Sequence, residues 1–442
     1  KILETARKEE VNIIGLSGLI TPSLEEMTVI ASEMAREGLE IPLLIGGATT
    51  SKVHTAVKIA PNYIGPTVHV LDASRAVSVA SNLMSDELKD PFVSSVAEDY
   101  AEVRENYGDR GVGDRRLPLA EARENNHAID WSGYVPPKPG FLGLKVFGDY
   151  DLGELVPVID WTPFFRTWEL AGRYPDILKD KTVGAAARNL FADAETMLAE
   201  IIENRWLGAK AVIGLFAANT VNGDDIALYD DDGRAETKAT LHFLRQQMRK
   251  SAGGTNFCLA DFVAPAESGI ADHVGAFAVT AGLGIEEKLE EFQRDHDDYS
   301  AILLKALADR LAEALAERMH QRVRTEFWAY ASDEDLDNAA LVGEKYRGIR
   351  PAPGYPACPD HSEKPELFAL LAAEPNAGIA LTESFAMMPA ASVSGYYFAH
   401  PEARYFGVGR IGQDQVEDYA RRRGVAVAQA EKWLIANLAY SR

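Results

Sequence analysis

Apolar and polar positions alternate in blocks over the first ninety residues. The apolar run at 12–16 reads as a short strand. Ser23-Leu-Glu-Glu26 has capping-box spacing and opens a helix to about residue 36, with Gly38 as its stop. Residues 42–45 form the next strand and end in Gly46-Gly47. Thr49–Ser51 cap a helix to about residue 60, residues 67–71 make a third strand, and Asp72-Ala73-Ser74 open a helix to about residue 84. The order βαβαβα predicts a parallel sheet with right-handed crossovers. Parallel sheets are buried on both faces, and three strands are few for that. The 12–16 strand is expected to be central, with its missing neighbour in an N-terminal part outside this sequence. The chain also begins at Lys1 rather than at methionine, inside a helical pattern, which suggests a processed chain or a piece of a longer one.

Residues 88–130 lose this periodicity and are dense in Glu, Asp and Arg, as in a linker with some helix. From Trp131 the chain becomes aromatic, proline- and glycine-rich, so the expected boundaries are 1–90, a linker at 91–130, and a second domain at 131–442. Its strongest helix spans 298–328, where Leu304, Leu307, Leu311, Leu315, Met319 and Val323 step by three or four. Glu313 lies about 200° from Leu311 at 100° per residue, off that stripe, facing either solvent or a cleft. Helices near 413–422 and 427–438 close the chain.

Length then sets the scale: 442 residues exceed one ordinary core, so two or three domains are expected. The net charge of −22 argues against a non-specific nucleic-acid binder. No run of about 18 apolar residues suggests a membrane span, and no signal-peptide pattern is present. Two cysteines, Cys258 and Cys358, fit a reducing, cytoplasmic setting without a disulfide framework. Cys358 and His361 are too few ligands for a structural zinc, and no metal site is expected.

Three groups of residues carry candidate chemistry. The loops after the three strands hold Ser17, Thr21, Ser23, Gly46-Gly47 and Asp72-Ala73-Ser74, small residues at the carboxyl ends of parallel strands, where open sheets bind ligands. They read either as ordinary caps or as a wide groove for one bulky ligand, and no phosphate-loop glycine pattern is among them. Asp160 precedes Trp161, Phe164, Phe165 and Trp168, and is either a helix cap or a carboxylate for a cationic group in an aromatic surround. Finally, 350–361 reads Arg-Pro-Ala-Pro-Gly-Tyr-Pro-Ala-Cys-Pro-Asp-His. Pro351, Pro353, Pro356 and Pro359 exclude a helix and stiffen an extended rail that carries Arg350 and Tyr355, with Gly354 as its hinge. Such a rail is either a connector or a pre-ordered holder for a small polar ligand.

These stretches resemble the C-terminal part of cobalamin-dependent methionine synthase. The resemblance covers 15–27, 45–53, 70–76, 160–165, 350–364 and 384–409, the last including Ser384-Phe-Ala-Met-Met-Pro-Ala-Ala-Ser-Val-Ser-Gly-Tyr-Tyr-Phe398. It implies an α/β protein: a partial Rossmann-like (flavodoxin-like) parallel half-domain for cobalamin, then a mixed α+β activation domain for S-adenosylmethionine. It implies that Ser17, Thr21, Ser23, Gly46 and Ala73 line the cobalamin (methylcobalamin) tail or corrin. It implies that Asp160 meets the S-adenosylmethionine ammonium and Arg350 its carboxylate, with Ala352, Gly354, Tyr355, Tyr405 and Phe406 beside them and Glu313 and Glu344 as acidic cleft positions. The domain's implied role is reactivation: S-adenosylmethionine supplies the methyl group for reductive methylation of cob(II)alamin, and no catalytic acid–base pair is expected. The implied partners are a flavodoxin-type or diflavin reductase and the remaining modules of the parent methyltransferase, with neither nucleic acid nor membrane among them. The family's cobalt-ligating histidine motif, Asp-x-His-x-x-Gly, is absent here and is expected upstream, as are the folate module and the homocysteine module with its zinc. A free-standing S-adenosylmethionine-binding module serving a separate corrinoid protein is the alternative.

Overall fold

The structure, a computed structural model, describes residues 2–18, 23–85, 87–109, 116–251 and 253–440. Its chain forms two compact units: Lys1–Glu121 with Gln247–Ser251 and Arg410–Arg442, and Ala122–Gln246 with Ala252–Gly409.

The first unit contains the expected parallel sheet, ordered β1 (Ile14–Ser17), β2 (Leu43–Gly46), β3 (Thr67–His69). α1 (Ile2–Lys8) and α2 (Ser23–Arg36) accompany it. Ile14, Met27, Ala31, Met34, Leu43, Ile45 and Ile59 make its core. The helix expected over 52–60 does not run on as one α-helix. α3 (Lys52–His54) gives way to a π turn at Thr55–Ile59 and a 3-10 turn at Ala60–Asn62, where Pro61 has no amide to continue an α pattern. α4 (Ala73–Met84) is capped by Asp72, which accepts from Arg75 N at 2.9 Å.

The segment expected as linker carries α5 (Lys89–Asp109) and α6 (Leu119–Glu124). α5 is fixed to this unit: the Tyr100 hydroxyl accepts from His69 N at 2.8 Å, and Arg104 donates to the Ala56 carbonyl at 3.0 Å.

The second unit is built on a six-stranded antiparallel sheet. β4 (Gly143–Phe147) pairs with β5 (Gly208–Val221), and the path runs β11 (Ser392–Tyr397), β8 (Asp272–Leu283), β5, β6 (Asp225–Tyr229), β7 (Thr237–His242). β9 (Ala380–Leu381) and β10 (Met387–Met388) form a separate antiparallel pair. Helices α7 (Trp161–Thr167), α8 (Gly184–Glu203), α9 (Ile285–Arg294), α10 (Asp298–Arg322), α11 (Asn338–Val342), α12 (Lys364–Leu371) and α13 (Ala373–Ala377) complete it.

The two faces of this sheet feed different cores. Ala211, Ile213 and Leu215 of β5, with Phe277 and Val279 of β8, join the cluster that contains α10. Val212, Phe216 and Ala218, with Val274, Ala276 and Ala278, join the opposite cluster with Phe243, Leu259, Phe262, Leu367 and Leu371. α10 buries the expected stripe completely: Leu304, Leu307, Leu311, Leu315 and Met319 are all sealed from solvent. Each such leucine contributes about 1.5–3 kcal/mol by leaving water. α10 therefore has a fixed place on the sheet, and so do the polar residues along its other side. The remaining residues of the first unit carry α14 (Gln413–Arg423) and α15 (Val427–Trp433).

Candidate functional site

A cleft of about 330 Å³ in the second unit is lined by Val158, Asp160, Pro163, Arg310, Glu313, Ala314, Glu317, Leu341, Val342, Glu344, Tyr346 and Arg350. That volume lies in the range of small-ligand sites, about 300–1,000 Å³. Four residues singled out from sequence meet here although they are scattered over 190 positions: Asp160, Glu313, Glu344 and Arg350.

Asp160 makes the expected helix cap and also borders the cleft. Its Oδ1 accepts from Thr162 N at 2.9 Å and caps α7, while its side chain lines the cleft. Oδ2 has no hydrogen-bond partner among the described residues. Glu313 faces the cleft rather than open solvent. Burial raises its pKa, against the opposing pull of Arg310 and Arg350. Glu344 follows α11 with φ +52, an uncommon conformation for a side-chain-bearing residue, and stands exposed at the cleft.

Arg350 is the most heavily engaged residue of the cleft. Its NH1 lies 2.6 Å from Glu317 Oε2, 3.1 Å from the Tyr346 hydroxyl and 3.4 Å from His320 Nδ1. Its backbone N donates to the Tyr405 hydroxyl at 3.0 Å, and that hydroxyl lies 3.4 Å from the Tyr346 hydroxyl. Burial opposes the guanidinium charge, but Glu317, Tyr346, Tyr405 and Glu313 together outweigh it and the pKa is raised.

The proline-rich rail is extended only at its start. Ile349 and Phe398 exchange hydrogen bonds at 3.0 Å, and Pro351 O accepts from Tyr396 N at 2.9 Å, so the rail is zipped to β11. From Ala352 it turns: Tyr355 N donates to Ala352 O, Gly354 N to Cys358 O and Cys358 N to Tyr355 O. Gly354 has φ +96, and a Cβ there would lie 2.1 Å from the His361 ring, so the turn needs glycine for shape and for space. Ala352, Gly354 and Tyr355 thus lie on the turn beyond Arg350 and are not among the residues that line the cleft. Tyr355 is 60% exposed, and the partial desolvation that remains, with the nearby Glu313, raises its pKa. Phe406 is turned elsewhere. It stacks on Phe257 at 5.6 Å and packs against the cluster on the far face of the sheet.

Sequence reading passed over Arg310, Glu317, His320, Arg324 and Tyr346. The signal was present: Arg310, Glu313, Glu317, His320 and Arg324 step by three or four along α10 and the turn after it, a polar row beside the leucine stripe.

In the first unit, Ser17 and Gly46 are register partners at the carboxyl ends of β1 and β2. Gly47, at φ +100, brings its loop onto Gly18, where a Cβ would lie 2.4 Å from the Gly18 oxygen. Ser23 begins α2. Thr21 lies outside the described residues, as does the side chain of Ala73. A groove of about 230 Å³ between 60–68 and α5 is mainly apolar and holds none of the candidate residues. Among the described residues no group of three His, Cys, Asp or Glu could hold a metal, and no helix is long and apolar enough to cross a membrane.

Fold and cleft together define an antiparallel α+β domain with a charged cleft of small-ligand size. Residues 151–424 match the family described as vitamin B12 dependent methionine synthase, activation domain. A crystal structure described as the MetH reactivation domain bound to AdoHcy is 52% identical, with a TM-score of 0.72, over 74% of this chain and 99% of the other. The chain belongs to the vitamin B12-dependent methionine synthase activation-domain family.

Proposed function

We propose that the second unit binds S-adenosylmethionine in the Asp160–Arg350 cleft and serves the reductive methylation of cob(II)alamin in a cobalamin-dependent methionine synthase. The observation that carries this is the pairing of opposite charges in one cleft. Asp160 presents an uncommitted carboxylate oxygen for an ammonium, and Arg350 presents a guanidinium for a carboxylate. Around them, Asp160, Glu313, Glu317 and Glu344 outnumber Arg310 and Arg350, so the cleft favours a ligand with net positive charge, such as a sulfonium amino acid. The AdoHcy in the related crystal structure is the same scaffold without the transferred methyl group.

In this reading the cleft positions and the substrate reacts. Asp160 and Arg350 fix the amino-acid end, Tyr355 and Tyr405 flank it from the turn and its neighbour, and no residue of the cleft acts as general acid or base. Ala352 and Gly354 offer backbone groups, while Phe406 acts only through the packing that holds 405–408 in place.

Ser17, Ser23 and Gly46, with Thr21 and Ala73, are the proposed cobalamin contacts of a Rossmann-like half-domain. The small residues at two adjacent strand ends and the closely approaching loops of Gly18 and Gly47 fit a broad, flat ligand. Cobalamin, when bound, would supply the methyl acceptor. The proposed electron donor is a flavodoxin-type or diflavin reductase, and the proposed setting is cytoplasmic.

Calorimetric titration of the full chain with S-adenosylmethionine tests the cleft. One saturable site is expected, competed by S-adenosylhomocysteine. Absence of heat and of any thermal stabilisation at millimolar ligand overturns the reading.

A further inference from the structure

Arg350 is held in an unusual way for a guanidinium. Its three side-chain acceptors all converge on one nitrogen, NH1. Nε and NH2 have no hydrogen-bond partner among the described residues, and the side chain keeps 20% of its surface exposed at the cleft. The acceptors are themselves fixed. Glu317 is 8% exposed on α10, whose leucine face is locked to the sheet. His320 is fully buried, stacked on Tyr397 at 5.2 Å and edge-on to Tyr346 at 4.9 Å. Burial, reinforced by Arg324 and Arg350, holds His320 neutral, so Nδ1 can accept from Arg350. Its other nitrogen lies 3.4 Å from the Tyr330 hydroxyl. Behind Glu317, Arg324 NH1 stands 3.7 Å from Oε1, and Arg324 is itself clamped to Glu334 at 2.7 and 2.8 Å.

We infer that Glu317, Tyr346 and His320 are positioning residues for Arg350: they occupy NH1 and leave the Nε–NH2 edge open and aimed for a ligand carboxylate. This rests on the reading of the cleft as an S-adenosylmethionine site. A guanidinium binds a carboxylate through two parallel N–H groups, and that fork discriminates only when its plane is fixed. An arginine with a free end would spread over rotamers and lose the fork on binding. Glu317 carries the placement, because it makes the shortest bond and comes from the most rigid element. The function of these three residues is therefore to make the site read the carboxylate, not merely to tolerate it.

The test uses two ligands, S-adenosylmethionine and its decarboxylated analogue, titrated calorimetrically into the full chain. The readout is the preference for the carboxylated ligand. Wild type is expected to prefer it by about tenfold or more. Glu317→Ala is expected to erase about tenfold of that preference, read as the ratio of the two affinities, over and above the loss common to both ligands from one fewer negative charge in the cleft. Glu317→Gln is expected to stay within about threefold of wild type, because an amide oxygen still accepts from NH1. Tyr346→Phe, which removes a single hydroxyl, is expected to cost about threefold of the preference. Unchanged preference in both Glu317→Ala and Tyr346→Phe overturns the inference. So does an equal loss of both ligands, which marks a merely structural role, or a glutamine variant as impaired as alanine, which marks charge rather than placement. A wild type without any preference for the carboxylate overturns the underlying site reading instead, and so separates the two failures.

Discussion

Two arginines of the second unit, Arg245 and Arg350, show what separates a guanidinium that holds a fold from one that waits for a ligand. Arg245 is 1% exposed, and each of its nitrogens is spent on the protein. Nε donates to Asp224 at 2.7 Å, NH1 to Asn256 O and Asp261 at 2.8 and 2.9 Å, and NH2 to Gly223 O and Asp261 at 3.1 and 2.7 Å. Arg350 crowds its partners onto one nitrogen and leaves two unspent. Both carry a raised pKa, because neighbouring negative groups outweigh burial, so charge state does not tell them apart. The distribution of hydrogen bonds does.

The largest effect should come from breaking the saturated member. Arg245→Met leaves Asp261 buried without its cation and Asp224 with Arg123 alone, and unfolding is expected to become easier by about 3–5 kcal/mol in a denaturant titration. Arg350→Ala should reverse the pattern: S-adenosylmethionine affinity falls about hundredfold by calorimetry, with a much smaller change in stability. A large stability loss and intact binding in that variant would make Arg350 a second Arg245. Asp160 repeats the half-committed design in a carboxylate, with one oxygen on the cap and one unspent. Asp160→Asn keeps a good helix cap but loses the charge, so about tenfold weaker binding with an unchanged melting curve is expected.

Lys364 sharpens the contrast from the other side, as a buried cation with no carboxylate in ion-pair reach among the described residues. Its Nζ meets His361 Nδ1 and Phe385 O, both at 3.0 Å, and burial lowers its pKa from 10.5 to about 8. Between those two values the unfolded chain holds the proton and the folded chain does not. Stability must therefore rise with pH from about 8 to 10.5, and below 8 the full cost of the buried charge remains. Lys364→Met is expected to flatten that slope in melts across pH 8–10. An unchanged slope would place the titration elsewhere.

Much of this was legible in the sequence. The βαβαβα order and the leucine stripe of α10 follow from spacing and residue type, because helices and turns are specified locally, whereas Asp160 and Arg350 were joined in one site only by the family resemblance. β5 and β8 were not legible. Both strands are covered on both faces, so Ala211–Ala218 and Val274–Ala281 show no alternation of polar and apolar residues. The hold on Arg350 was hidden for a different reason. Glu317 and Arg350 are 33 residues apart and meet only because the sheet seats α10 and β11 receives the rail. Phe406 belonged to the quoted motif, but its ring is claimed by Phe257 and Phe262, and the motif alone does not say which face of the sheet a side chain takes.

The strand that hides its alternation has the strictest reading frame. Odd-numbered residues of β5 from Ala211 to Leu215 supply one core, and even-numbered ones from Val212 to Ala218 supply the other, with Gly214 leaving room for the Phe216 ring. Inserting or deleting one residue would exchange the two sets, pressing Phe216 toward α10 and opening a hole on the opposite side. Neither core could relax without disturbing the other. A site mounted on α10 is thereby shielded from slippage, and length changes in this domain should be confined to its connecting loops.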